Sequence, residues 1–136
     1  MPGHKGWLLK ANGDLAVART GLTSPEPGAL DTASFLCHQC AEKSLKAFLA
    51  FLHHEISKTH DLDRLLKICI EFEPLFQQLK TECSDLNFYA LKARYPDDQF
   101  SIDQAEVTVA LEKAAKVLTL TKKIIAERQH PNTRLF

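Results

Sequence analysis

The 136-residue chain carries no surplus of charge: 17 Lys and Arg stand against 17 Asp and Glu. Long-range attraction to nucleic acid or to an anionic membrane is therefore not expected, and any such contact has to be local. Long apolar runs are missing too. The opening MPGHKGWLLKANGDLAVA breaks its short apolar run at Lys10, Asn12 and Asp14. That is too soon for a signal peptide or a membrane span, so a cytoplasmic protein with no membrane partner is expected. No strand-like alternation of apolar and polar residues persists anywhere, and no internal repeat is evident. Cysteines are few. Cys37 and Cys40 have CxxC spacing but lie within a helical pattern, and Cys69 and Cys83 stand singly. A zinc site normally presents two close pairs on turns, so buried free thiols, no metal and no cofactor are expected.

What remains is helix. Phe35 to His54, FLCHQCAEKSLKAFLAFLHH, holds no Gly or Pro and is rich in Ala, Leu, Lys and Glu. At about 100° per residue, Ala41, Leu45, Phe48, Leu49 and Leu52 share one arc, the stripe of a core-facing helix. His38 falls within that arc, Glu42 at its edge and Lys46 one turn on. Two readings stand side by side: a core histidine with a Glu42–Lys46 pair, or polar groups facing a groove that takes a ligand.

In chain order, Leu8, Ala11, Leu15, Ala18 and Leu22 make a first helix from about Lys5 to Thr20, closed by Gly21. GLTSPEPGAL, from Gly21 to Leu30, is a loop. Asp31 or Thr32 is expected to cap the long second helix. Ser57 and Lys58 mark a turn, and Asp61 stands near the start of a third helix with Leu62, Leu65, Leu66 and Cys69. Glu73-Pro74 opens a fourth, since proline loses no needed hydrogen bond at the first helical position. Arg94-Tyr95-Pro96 ends it. Ser101 and Gln104 match a capping box for the last helix, with Val107, Ala110, Leu111, Ala114, Leu118 and Ile125 inward; His130-Pro131 stops it. The expected architecture is all-α, a four- to five-helix up-and-down antiparallel bundle. Phe51, Phe72, Phe88 and Phe100 exceed what a small bundle hides, which predicts self-association.

The runs WLLKANGDLAVA, FLCHQCAEKSLKAFL, THDLDRLL, NFYALKARYPDD and DQAEVTVALEKAAKV stand in the order and at the separations of the prokaryotic HEPN domain. The chain resembles that family from about Trp7 to Ile125. The resemblance implies one helical domain over residues 1–136, with short flexible ends at 1–4 and 131–136. It also implies a homodimer and a partnership with a small nucleotidyltransferase in a toxin–antitoxin type of pair, with nucleotide or RNA as ligand. Family members of the ribonuclease branch use an arginine followed, after four to six residues, by a histidine. Here Arg19, Arg64, Arg94, Arg128 and Arg134 have no histidine at that spacing. Arg94 takes the place of the motif arginine, but Gln99, Phe100 and Ser101 follow it. Arginine cannot exchange a proton near neutral pH and would act only as a clamp on phosphate. The candidate ligand-binding set is therefore His38, Glu42, Lys46, Arg94 and Tyr95, with Arg94 forking onto a phosphate or carboxylate and Tyr95 offering a stacking face. Three functions follow as alternatives: a nucleotide- or substrate-binding partner of a nucleotidyltransferase, a metal-independent ribonuclease using Arg94 with another histidine, or a dimerisation scaffold without ligand.

Overall fold

The computed structural model describes residues 3–92 and 101–130, and these form five α-helices. They are α1 (His4–Gly21), α2 (Ala29–Phe51), α3 (Leu62–Phe72), α4 (Lys80–Lys92) and α5 (Gln104–Gln129), with a 3-10 turn at Pro74–Leu79 leading into α4. Among the described residues there is no strand, as the absence of alternating apolar residues implies.

Polar links across the helices fix their directions. Lys43 meets Asp14 at 2.7 Å, so α1 and α2 form an antiparallel hairpin. Gln104 donates to the Leu22 carbonyl and Lys122 to Asn12, so α5 runs back along α1. Lys116 meets Glu82 at 3.0 Å and Tyr89 meets Glu106, so α4 is antiparallel to α5. Helices α1, α2, α4 and α5 thus make the up-and-down bundle. The short α3 starts level with His38 and Glu42, and its Cys69 thiol reaches the Leu45 carbonyl one stage further along α2. It therefore runs beside α2 in the same sense, which the irregular return over residues 52–61 makes possible.

The core follows the apolar stripes. Leu45, Phe48 and Leu49 of α2 meet Leu62 and Leu65 of α3, Phe76 and Leu79 of the 3-10 turn, Leu86 of α4, and Val117 and Ile124 of α5, all fully buried. Phe48 and Phe76 pack with ring centroids 4.8 Å apart. Between α1 and α2 the packing is closer, over Ala11, Ala18, Ala33 and Ala41. A side chain at Gly21 would place Cβ 3.0 Å from Ala33 Cβ, so this helix end needs glycine for contact rather than for an unusual dihedral.

Two caps differ from the sequence expectation. Helix α2 starts at Ala29 behind Gly28 (φ 83°), with no side-chain cap, and Asp31 lies inside its first turn. The left-handed glycine turns the chain directly into the helix, so Asp31 and Thr32 are already helical when the turn closes. At α5 the cap is Asp103, whose Oδ1 accepts from Glu106 N at 2.8 Å, and not Ser101; Gln104 reaches across to Leu22. Helix α2 also ends at Phe51, three residues before the expected end, where His53 takes φ 56°. Phe51 is half-buried, edge-on to His4, whereas Phe72 and Phe88 are exposed. Phe100 lies outside the described residues. None of the helices among the described residues is long and apolar enough to cross a membrane.

Candidate functional site

Helix α2 turns three polar side chains, His38, Glu42 and Lys46, toward the interior at successive turns. They are 1%, 4% and 6% exposed. Glu42 is the hub. Its Oε2 accepts from Lys46 Nζ at 3.1 Å, and its Oε1 lies 2.9 Å from His60 Nδ1. The Lys46 ammonium also lies 5.8 Å from the ring centroid of Trp7 on α1, which closes that side. Both carboxylate oxygens are thus used inside the protein, and the negative charge of Glu42 is matched by Lys46.

His60 is the outlet of this buried group. Its side chain is 59% exposed, while the Glu42 carboxylate behind it is 6% exposed. His38 holds the same residue from another side: its Nε2 lies 2.9 Å from the His60 carbonyl oxygen, which can only accept, so Nε2 carries the proton. Burial lowers the pKa of His38, opposed in part by the Glu42 carboxylate and by the bond to the His60 carbonyl. A neutral, Nε2-protonated His38 is the form consistent with both observations.

The next residues complete the corner. Asp61 caps α3, its Oδ1 accepting from Asp63 N at 3.0 Å and Arg64 N at 3.5 Å. From α4, Asn87 Oδ1 accepts from Leu62 N at 2.8 Å, and its Nδ2 donates to Asp61 Oδ1 and Asp63 Oδ2. The bond from Asn87 is the main reason that the Asp61 pKa is lowered. The corner is therefore gripped by α2 through His38 and Glu42 and by α4 through Asn87.

Three of the five candidate residues, His38, Glu42 and Lys46, are thus brought together, but below the surface, so the part of the group open to solvent is His60. Arg94 and Tyr95 lie outside the described residues. His60 is the residue that helical periodicity does not find: its partner Glu42 is 18 positions away, across an irregular segment. The signal present in the sequence is a histidine immediately before the Asp61 cap. The four cysteines are buried free thiols. Burial is the main cause that pushes Cys37, Cys40 and Cys83 up to about 12, so they are inert at neutral pH.

A groove of about 630 Å³ also opens between α4 and α5, lined among others by Asp85, Phe88, Tyr89, Asp103, Glu106 and Val109. Burial beside Glu106 pushes the Tyr89 hydroxyl up to about 12, so it stays protonated and donates to that carboxylate. The groove offers carboxylates and an ion pair between Lys113 and Asp85, without a buried side chain aimed into it.

Comparison with known proteins agrees with this architecture. The family model described as HEPN domain matches residues 4–125. Among solved structures, the chain is similar to the crystal structure of an archaeal HEPN homologue, with 25% identity and a TM-score of 0.73 over 92% of this chain and 99% of that one. Among curated proteins none matches.

Proposed function

From the premise that this chain belongs to the HEPN domain family, we propose that it is a binding and interaction module, the nucleotide- or substrate-binding partner of a small nucleotidyltransferase in a toxin–antitoxin type of pair. The ligand is met at the corner formed by the end of the α2–α3 connection. One observation carries the reading: a buried Glu42–Lys46 pair holds the ring of a mostly exposed histidine, His60, at 2.9 Å. A surface imidazole fixed through one nitrogen presents the other in a constant direction, which is what recognition of a small polar ligand needs.

Binding is favoured over RNA cleavage because the sequence has no arginine with a histidine at the spacing of the ribonuclease branch. In-line cleavage needs a proton acceptor and a proton donor of near-neutral pKa, and His38 is buried and neutral. Arg94 and Tyr95 belong to the proposal as phosphate clamp and stacking face. A homodimer belongs to it as well, since Phe72 and Phe88 are 42% and 44% exposed.

The test is co-expression with a small nucleotidyltransferase, followed by affinity purification, calorimetry with nucleotides and incubation with RNA. The expected result is co-purification, nucleotide binding weakened in His60→Ala and in Arg94→Ala, and intact RNA. RNA cleavage that disappears in Arg94→Ala would overturn the reading in favour of the ribonuclease. Absence of both partner and nucleotide binding would leave a scaffold.

A further inference from the structure

The hydrogen bond from His60 to Glu42 decides more than the ring's orientation. A carboxylate only accepts, so His60 Nδ1 carries a proton, and in the neutral ring Nε2 is then a bare lone pair. That lone pair is on the exposed side, because the nitrogen facing the interior is already used. In the neutral ring, moving the proton to Nε2 to present an N–H outward would leave the buried Oε1 of Glu42 facing an unprotonated nitrogen, which is costly. The ring is also held from behind, since His38 Nε2 donates to the His60 carbonyl and Asn87 fixes the amide of Leu62. The neighbouring groups have the same polarity: Asp61 uses Oδ1 on three donors and Asp63 shares the Asn87 amide, so carboxylates flank His60 on its C-terminal side. Arg64, in the first turn of α3, acts on Asp61 from the same side, and Lys58 stands two residues before His60 in the sequence. A phosphate oxygen placed against the outward Nε2 would meet an acceptor, with nothing to donate to it there. A hydroxyl-bearing group would meet partners.

We propose that His60 is a specificity-determining residue that accepts, at Nε2, a hydrogen bond from a ribose hydroxyl, so that the module selects ribonucleotides over their deoxy counterparts. The proposal rests on the nucleotide-binding reading above and assigns its sugar end to this corner, with Glu42 and His38 as the positioning residues. Lys46 is the fixed counter-charge beside Glu42, 3.1 Å from its Oε2.

The test is calorimetry at pH 8 on the full chain with the four ribonucleoside triphosphates and their 2′-deoxy and 3′-deoxy counterparts. Removing the hydroxyl leaves a site acceptor without a partner, and the expected loss is about tenfold in affinity for at least one of the two deoxy series. His60→Ala should abolish that discrimination, whereas His60→Gln, which can place an amide oxygen where Nε2 stood, should retain part of it. A nitrogen-edited NMR spectrum of the imidazoles reports the positioning independently: His60 should be Nδ1-protonated in the wild type and should lose that preference in Glu42→Ala. Nucleotides that bind equally with and without their hydroxyls would overturn this inference and leave the binding reading standing. If no nucleotide binds, both fall.

Discussion

Glu42→Ala is the substitution that should hurt the fold most for its size. Glu42 and Lys46 are 4% and 6% exposed and meet at 3.1 Å. At an effective dielectric of about 20 their gross attraction is about 5 kcal/mol, most of it cancelled by the cost of taking both charges out of water. Removing the carboxylate removes the attraction and leaves that cost on Lys46, which keeps the face of Trp7 at 5.8 Å. The expected destabilisation is about 3–5 kcal/mol, a large part of a small domain's total. Lys46→Met should cost less, because Glu42 keeps its bond to His60 Nδ1. The double variant Glu42→Leu with Lys46→Met should come within about 1 kcal/mol of wild type, since an apolar pair of similar volume has no charge to strand. Urea unfolding followed by circular dichroism measures all three, and with a slope of about 1–3 kcal/mol/M the single variant should shift the midpoint by about 2 M. A shift below about 0.5 M for Glu42→Ala, or a double variant as weak as Glu42→Ala, would refute the argument. The first outcome would mean that Lys46 reaches water through its flexible stem once released, and the second that lost packing or the lost His60 bond, not a stranded charge, sets the cost.

The neutral His38 predicts acid sensitivity. Its folded pKa is lowered from 6.5, so the unfolded chain takes up the proton first, and stability present above pH 6.5 is lost as pH falls toward the folded value. His38→Gln, which can still donate to the His60 carbonyl, should flatten unfolding free energy against pH in that window. Asn87→Ala removes the partner of the Leu62 amide, whose side chain is fully buried, and should cost about 1–3 kcal/mol in the same urea assay. It should also let the Asp61 pKa rise toward its ordinary value, which an NMR titration of the carboxyl reads directly. The helix glycines should respond in opposite directions. Gly13→Ala meets nothing within 4 Å and should stabilise by about 0.5–1 kcal/mol. Gly21→Ala brings Cβ to 3.2 Å from the Ala29 carbonyl as well as onto Ala33, and should destabilise by about 1–3 kcal/mol in thermal or urea unfolding.

The helices were legible because a 3.6-residue period survives any arrangement of neighbours. The inward faces of α2 and α5 are the apolar arcs read from the sequence, from Leu45, Phe48 and Leu49 to Val107, Leu111 and Leu118. The Asp61 start of α3 and the proline opening before α4 were legible for a similar reason, since both signals act within one turn. Caps were less so where two acceptors compete: Ser101 and Asp103 both suit the start of α5, and the choice depends on where the chain enters from Ile102, which is buried. The pairing of Glu42 with Lys46 was readable at i, i+4. Its pairing with His60 was not, because no local rule relates residues joined by an irregular return.

The Glu42–Lys46 pair asks for a reason that stability does not supply. Apolar residues at both positions would leave no charges to desolvate, and buried pairs replaced in this way commonly gain stability. What the carboxylate does here that Leu cannot is bond to an exposed ring 18 residues away and fix which of its nitrogens bears the proton. Lys46 is then the counter-charge of that carboxylate, 3.1 Å from its Oε2. His38 secures the backbone of the same residue from the neighbouring turn of α2. On the proposed reading, three buried polar residues of the central helix serve one surface atom, His60 Nε2. Their burial is then the means by which a small bundle keeps a recognition group rigid without devoting a pocket to it.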